Sequence, residues 1–201
     1  FETKYNGSVL KLYQALRKTN PSPFMYYFNF PRFKIVGSSP EILVRLRNKK
    51  ITIRPIAGTR PRGKTKKLDN KYAEDLLKDK KEIAEHLMLL DLGRNDIGRV
   101  ANKSSVKVTS EFEIERYSHV MHIVSNVEGK VSSDKTAFEA LMAGFPAGTV
   151  SGAPKIRAMQ IIDELENTKR GIYAGGIGYI TSDGEMDTCC LLYTSDAADD
   201  P

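Results

Sequence analysis

Residues 81–99, KEIAEHLMLLDLGRNDIGR, decide how the rest is read, because acidic, imidazole and basic groups recur there at helical spacing beside a continuous apolar face. Glu82 and Glu85 stand at i and i+3, and His86 is i+4 from Glu82, so the period predicts a helix presenting all three from one side. Paired carboxylates suit a hard divalent cation, which takes oxygen ligands and keeps water or substrate oxygens in the rest of its shell. The same spacing also describes a solvated helix face, so the neighbouring segments must decide.

Upstream, a helix-forming stretch from Tyr72 to Leu90 is expected to end at Gly93 or Gly98. Residues 8–18 carry a helical apolar stripe that stops before Asn20-Pro21-Ser22-Pro23. Strand-like runs follow at 24–30, 32–38, 41–46 and 50–54, with Asn48-Lys49 as a turn. Downstream, 106–108 and 113–115 read as short strands, 119–124 as a strand with His119 and His122 on one face, 135–143 and 156–166 as helices, and 171–180 as a glycine-spaced strand. Helices interleaved with hairpin-type strands give an α+β fold, in which antiparallel β-sheets pack against helices around a cleft.

Several segments carry possible chemistry. Glu41 follows Ser38-Ser39-Pro40 and opens a strand, where half-desolvation would lift its pKa and let it donate a proton. In residues 54–63, RPIAGTRPRG, Gly58 allows close backbone approach, Thr59 offers a hydroxyl, and Arg60 and Arg62 add positive charge; the Walker spacing is missing, and a solvated connection is the plain alternative. His119 and His122 suggest proton handling. Residues 145–155, FPAGTVSGAPK, place Thr149 and Ser151 in a turn before a helix, a natural carboxylate site, with Ser151 as N-cap and Pro154 near the first helical position as the ordinary capping reading. In 171–180 the missing side chains imply a backbone or ligand lying close, and no helix follows to make a dinucleotide loop.

Composition narrows the class. The 201 residues suffice for one well-buried domain or a piece of a larger one. No basic leader and no bilayer-length apolar run is visible, so a soluble, cytoplasmic setting is the expectation. The net charge of +6 would permit an anionic partner, but the basic residues lack any nucleic-acid-binding spacing. Cys189 and Cys190 are adjacent and cannot easily bridge each other, which leaves neither a disulfide framework nor a zinc pattern.

PIAGTRPRG (55–63), EIAEHLMLLDLGRNDIGR (82–99), YSHVMHIV (117–124), FPAGTVSGAPK (145–155) and RGIYAGGIGY (170–179) occur here in one order. Together they resemble the chorismate-utilising enzymes, most closely those of the anthranilate synthase large-subunit type. The resemblance implies magnesium held by Glu85 with support from Glu82, a general acid at Glu41 for the C4 hydroxyl of chorismate, and a base at His122 for the C2 proton. It implies substrate contacts from Gly58, Thr59, Thr149 and Tyr173. It also implies part of a tryptophan feedback site at Pro23, Phe24 and Met25, and a glutamine amidotransferase subunit delivering ammonia. Ala57 stands where aminodeoxychorismate synthases commonly carry a lysine; aminodeoxychorismate or isochorismate synthesis, or an inactive domain that binds ligand or partner, are the competing readings.

The resemblance covers residues 1 to about 189, read as a partial chorismate-binding catalytic domain truncated at both ends. One metal-ligating glutamate of the family would then lie outside the chain. From about Cys190 the sequence CLLYTSDAADDP departs from the family and resembles a translated library adapter, so 190–201 is expected to be a non-native tail. In it Tyr193 takes the place of an expected carboxylate-binding arginine.

Overall fold

A computed structural model describes residues 4–192 and, for the backbone alone, 194–198. Along the chain lie α1 (Val9–Thr19), β1 (Phe24–Asn29), β2 (Phe33–Ser39), β3 (Ile42–Arg47), β4 (Lys50–Ile53), β5 (Ile56–Pro61), α2 (Lys66–Lys78) and α3 (Lys80–Gly98). These are followed by β6 (Lys107–Arg116), β7 (Val120–Lys130), α4 (Ala137–Gly144), α5 (Lys155–Leu165), β8 (Gly176–Ile180), β9 (Met186–Cys190) and β10 (Thr194–Ala198). Short 3-10 turns at Lys103–Ser105 and Gly148–Val150 complete the described elements.

The larger sheet runs β5-β7-β4-β3-β9-β8, and β6 pairs with the other edge of β7. All its pairings are antiparallel, as the hairpin-like sequence pattern predicts. A smaller sheet of β1, β2 and β10 stands beside it. The β3–β4 turn uses Asn48 and Lys49 at φ of 52° and 60°, the left-handed pair a two-residue hairpin needs to match the strand twist.

Apolar residues of α3 and α4 close one face of this sheet: Leu90 and Ile97 with Ala140 and Ala143 meet Val44, Ile51, Val127 and Met186. A second group, Ala73, Leu76, Met121 and Ile123, joins α2 to β7. A third, Tyr26, Ile35, Cys189 and Leu191, ties the two sheets together.

Four boundaries differ from the sequence reading. The single long helix is broken at Asp79, whose extended backbone ends α2 while its carboxylate accepts from Lys81 and Glu82 N–H and so caps α3. Beyond that break α3 continues through Gly93 to Gly98. Residues 56–61 form a strand, β5, where a solvated connection was the plain alternative. The two short strands expected between 106 and 115 are one bulged strand, β6. Only the second half of 171–180 is a strand; there the close backbone approach is real, because a Cβ on Gly178 would fall 2.1 Å from the Asp187 carbonyl oxygen.

At the C-terminal end, Cys190 closes β9 with 0% exposure, Leu191 packs in the third apolar group, and the backbone of 194–198 pairs with β2. Tyr193 lies outside the described residues. Among the described residues no helix is long and apolar enough to cross a membrane.

Candidate active site

The stripe of α3 that carries Glu82 organises the site. At about 100° per residue, Glu82, Glu85, Leu89, Leu92, Gly93 and Asp96 share one side of the helix. His86, at about 40° from Glu82 and about 20° from Gly93 around the same helix, flanks that side as the sequence reading has it, but on its core-facing edge: it is 0% exposed, while Glu85 on the other edge is exposed and Glu82 between them half-buried. The roughly 100° between Glu85 and His86 is enough to exchange solvent for sheet. Burial pushes the His86 imidazole down to about 4, so it is neutral, and its Nε2 lies 2.7 Å from Ser125 Oγ, which accepts from Phe112 N–H.

At the Glu82 end stands the Gly58 corner. The β5–β7 register shifts between Ala57 and Thr59, and Gly58 adopts φ +77° in that bulge, a conformation natural to glycine. A Cβ there would lie 3.3 Å from Glu82 Oε2, so backbone and carboxylate are neighbours. The bulge also brings Thr59 opposite His122. His122 Nδ1 lies 3.1 Å from the Gly58 carbonyl oxygen and 3.1 Å from Thr59 Oγ1. A carbonyl only accepts, so Nδ1 carries the proton and Nε2 keeps its lone pair for a base role. Burial lowers the His122 pKa, opposed by the Gly58 carbonyl and the Glu115 charge.

His119 is not part of this corner. It precedes β7, is exposed, and its Nδ1 lies 2.9 Å from Ser118 Oγ. Three residues apart along a strand direction also means opposite faces, so the expectation of two histidines on one face fails on strand geometry.

Farther along α3 lies the Glu41 corner. Gly148 sits so close to the helix that a Cβ would meet Leu92 and Leu89 methyls at 2.5 and 2.9 Å. The adjacent Thr149 hydroxyl donates to Glu41 Oε1 at 2.9 Å. Glu41 is 7% exposed at the β2–β3 junction, its own N–H reaching Ser39 Oγ at 3.3 Å. Burial pushes its carboxyl up to about 7, with the Thr149 bond pulling weakly the other way. Such a group carries a proton near neutrality and can deliver it. The cleft before it, about 30 Å³, is lined by Leu89, Leu92, Gly93, Asp96 and Thr149.

Glu82 and Leu89 are seven residues apart, so the two corners are separated by about 10 Å of helix, with Glu85 between them. They share one helix stripe rather than one enclosed cavity, since the cleft at Glu41 includes neither His122 nor Glu85. A roomier depression of about 570 Å³ opens on the opposite side of α3, between Asp91, Arg94 and Lys103, and holds no candidate residue. Tyr173 is exposed beyond the Glu41 corner and connects to it through Arg170, which stacks over its ring at 5.5 Å and donates to the Val150 carbonyl oxygen at 2.6 Å.

Among the described residues no three metal-ligating side chains cluster. Glu82 and Glu85, on one turn, fit a hard cation that draws its other oxygens from water or substrate; Glu82 also has Arg60 at 3.8 Å. Pro23 immediately precedes the outer strand of the smaller sheet, which Phe24 and Met25 open, Phe24 opposite Ser39 and Met25 opposite Ser38. The sequence reading missed a buried pair beside Glu41: Lys155 Nζ donates to Asp96 Oδ2 at 2.8 Å. Extending the helical stripe from Glu82 to Asp96 would have found half of it.

Residues 1–194 match the profile of a family described as chorismate binding enzyme. The chain is 65% identical over 184 residues to anthranilate synthase component 1 of Cereibacter sphaeroides, covering 92% of this chain and 37% of that protein. The solved structure of anthranilate synthase component I from Streptococcus pneumoniae TIGR4 superposes with a TM-score of 0.90 at 47% identity, covering 96% of this chain and 42% of that one. A structure described as a 2,3-dihydroxybenzoate-specific isochorismate synthase, from Bacillus anthracis, has a TM-score of 0.83 at 22% identity, covering 95% of this chain and 52% of that one, a likeness of fold. The chain thus spans about two fifths of the length of the curated relatives it matches.

Proposed function

The chain belongs to the chorismate-binding enzyme family, and from that premise we propose that it carries part of the catalytic domain of an anthranilate synthase, a lyase acting in the cytoplasm. The reaction is chorismate plus ammonia giving anthranilate, pyruvate and water. The observation that carries this reading is the 65% identity over 184 residues to a protein named anthranilate synthase component 1.

In this reading ammonia adds at C2 of the chorismate ring as the C4 hydroxyl departs. Glu41, kept protonated near neutrality by burial, gives that hydroxyl its proton so that it leaves as water. His122 then takes the C2 proton on Nε2 while the pyruvate group leaves and the ring becomes aromatic. Its Nδ1–H, donated to the Gly58 carbonyl, holds the ring in the tautomer this step needs. Gly58, Thr59, Thr149 and Tyr173 orient the substrate along the α3 stripe. Glu85 with Glu82 would hold magnesium, which when bound supplies positive charge for a substrate carboxylate. Ala57 leaves space for ammonia at C2, and a glutamine amidotransferase subunit supplies it. Tryptophan acts as feedback inhibitor at a site that includes Pro23, Phe24 and Met25.

The test is to incubate the full-length protein with chorismate, ammonium and magnesium and identify the product by fluorescence and chromatography. Anthranilate is expected. Formation of 4-amino-4-deoxychorismate or isochorismate, or no turnover, would overturn the assignment.

A further inference from the structure

Lys155 opens α5, the end of a helix where the backbone dipole disfavours a cation, yet it is 6% exposed. Its ammonium donates to Asp96 Oδ2 at 2.8 Å and to the Gly144 carbonyl oxygen at 3.2 Å. Gly144 is the last residue of α4 and Lys155 the first of α5, so one ammonium ties both ends of the 145–154 turn to α3. Burying two ions costs about what their attraction returns, and an apolar pair of similar volume commonly holds a fold as well or better. The pair is therefore weak as a stabiliser. An apolar pair, however, could not make the directed bonds that close the turn.

That turn carries Thr149, whose hydroxyl is on Glu41 Oε1. Asp96 lines the same cleft as Glu41 and Thr149, and its second oxygen, Oδ1, is buried with no protein partner. A carboxylate that keeps one oxygen unsatisfied inside the protein is held there against its solvation, which points to a role other than packing.

We propose that Asp96 and Lys155 are a positioning pair for Glu41: clamping both ends of the 145–154 turn onto α3, they hold the Thr149 hydroxyl on one carboxyl oxygen and so fix the orientation of the group. The role of Glu41 as acid is taken from the proposed function; the clamp itself does not depend on which reaction follows.

The test follows the Glu41 carboxyl carbon by NMR against pH in this chain, labelled with ¹³C in glutamate side chains and assigned with E41Q. Thr149 lowers the Glu41 pKa, so T149V is expected to raise the titration midpoint by about half a pH unit, the size of one modest hydrogen bond. The apolar double variant D96L/K155M is expected to melt no lower than the parent, yet to raise the midpoint as T149V does, with the triple variant rising no further. K155Q, which loosens the clamp and leaves the Asp96 carboxylate in the same cleft without its cation, is expected to raise the midpoint at least as far. A folded D96L/K155M or K155Q that titrates where the parent does overturns the clamp, as does a triple variant in which the two displacements add. In the full-length enzyme the double variant should lower kcat tenfold or more while KM for chorismate changes less than twofold. Absence of anthranilate there would count against the proposed reaction and leave the titration result standing.

Discussion

A glutamate that can hand over a proton at neutral pH has to be kept from water, and Glu41 achieves this at the junction of two strands with a single hydroxyl for company. Its folded pKa, pushed up to about 7, lies above the ordinary carboxylate value of 4.5. Below about pH 4.5 the group is protonated folded or unfolded and contributes no difference. Between 4.5 and 7 the unfolded chain gives up this proton first, so native stability falls as pH rises, and above 7 the loss is complete at about 3 kcal/mol. Glutamine carries no such cost. Urea unfolding should therefore show E41Q gaining about 3 kcal/mol on the parent between pH 4.5 and 8, and a constant difference would contradict the buried acid. The proposed reaction needs that same protonated form, and it needs a carboxyl that can give the proton up, which glutamine cannot do. Glu41 must be protonated, which fails above about 7, and His122 must be neutral, which fails below a pKa that burial sets under 6.5. A bell-shaped profile of kcat/KM in the full-length enzyme is expected, with E41Q losing the alkaline limb and about 10²- to 10⁴-fold in rate.

At the scale of elements, the sequence was most legible where one periodicity ran uninterrupted. α1, the hairpin strands β1 to β4 and the turn at Asn48-Lys49 lie where alternation and turn chemistry put them. It was least legible where a single residue reverses its local meaning. Asp79 reads as one more polar position on a long helix, but its side chain satisfies two N–H groups of a new helix and splits the segment. β5 reads as a loop because Gly58 and the arginines dominate it, whereas its pairing to β7 is set by residues 59 to 68 positions away. The site shared this fate: Glu41, Glu82 and His122 were each visible, but the bond from Thr149 to Glu41 and the pair of Asp96 with Lys155 join segments with no sequence signal between them. The bulge at Gly58 gives this scale its own test. Alanine there must hold φ +77° and place a Cβ 3.2 Å from Ile123 and Leu76 methyls and 3.3 Å from Glu82 Oε2. G58A should cost about 1–2 kcal/mol from backbone strain, read as a lower thermal midpoint. It should also weaken the Nδ1 bond that orients His122, so that activity falls further than the stability change explains.

Across the whole molecule, the candidate groups are distributed along one helix while the elements that complete their surroundings come from both sheets and the Gly148–Val150 turn. The rise of about 10 Å from Glu82 to Leu89 means that the proposed dicarboxylic substrate would meet the acid and the base from different turns of α3. The arrangement leaves the cation poorly served by this chain alone, because Glu82 and Glu85 are the two carboxylates on that stripe near Gly58, and no cluster of three ligands exists among the described residues. Divalent-ion affinity rises with the number of charged oxygens that converge, so two carboxylates, one already near Arg60, make a weak site. Calorimetric titration of this chain with magnesium should accordingly give a dissociation constant in the millimolar range or weaker, weakened again in E85Q. The full-length protein saturated with chorismate, whose carboxylate can join the shell, should bind at least tenfold more tightly. Micromolar binding by the chain alone, unaffected by E85Q, would place the cation on other residues and take the metal role away from α3.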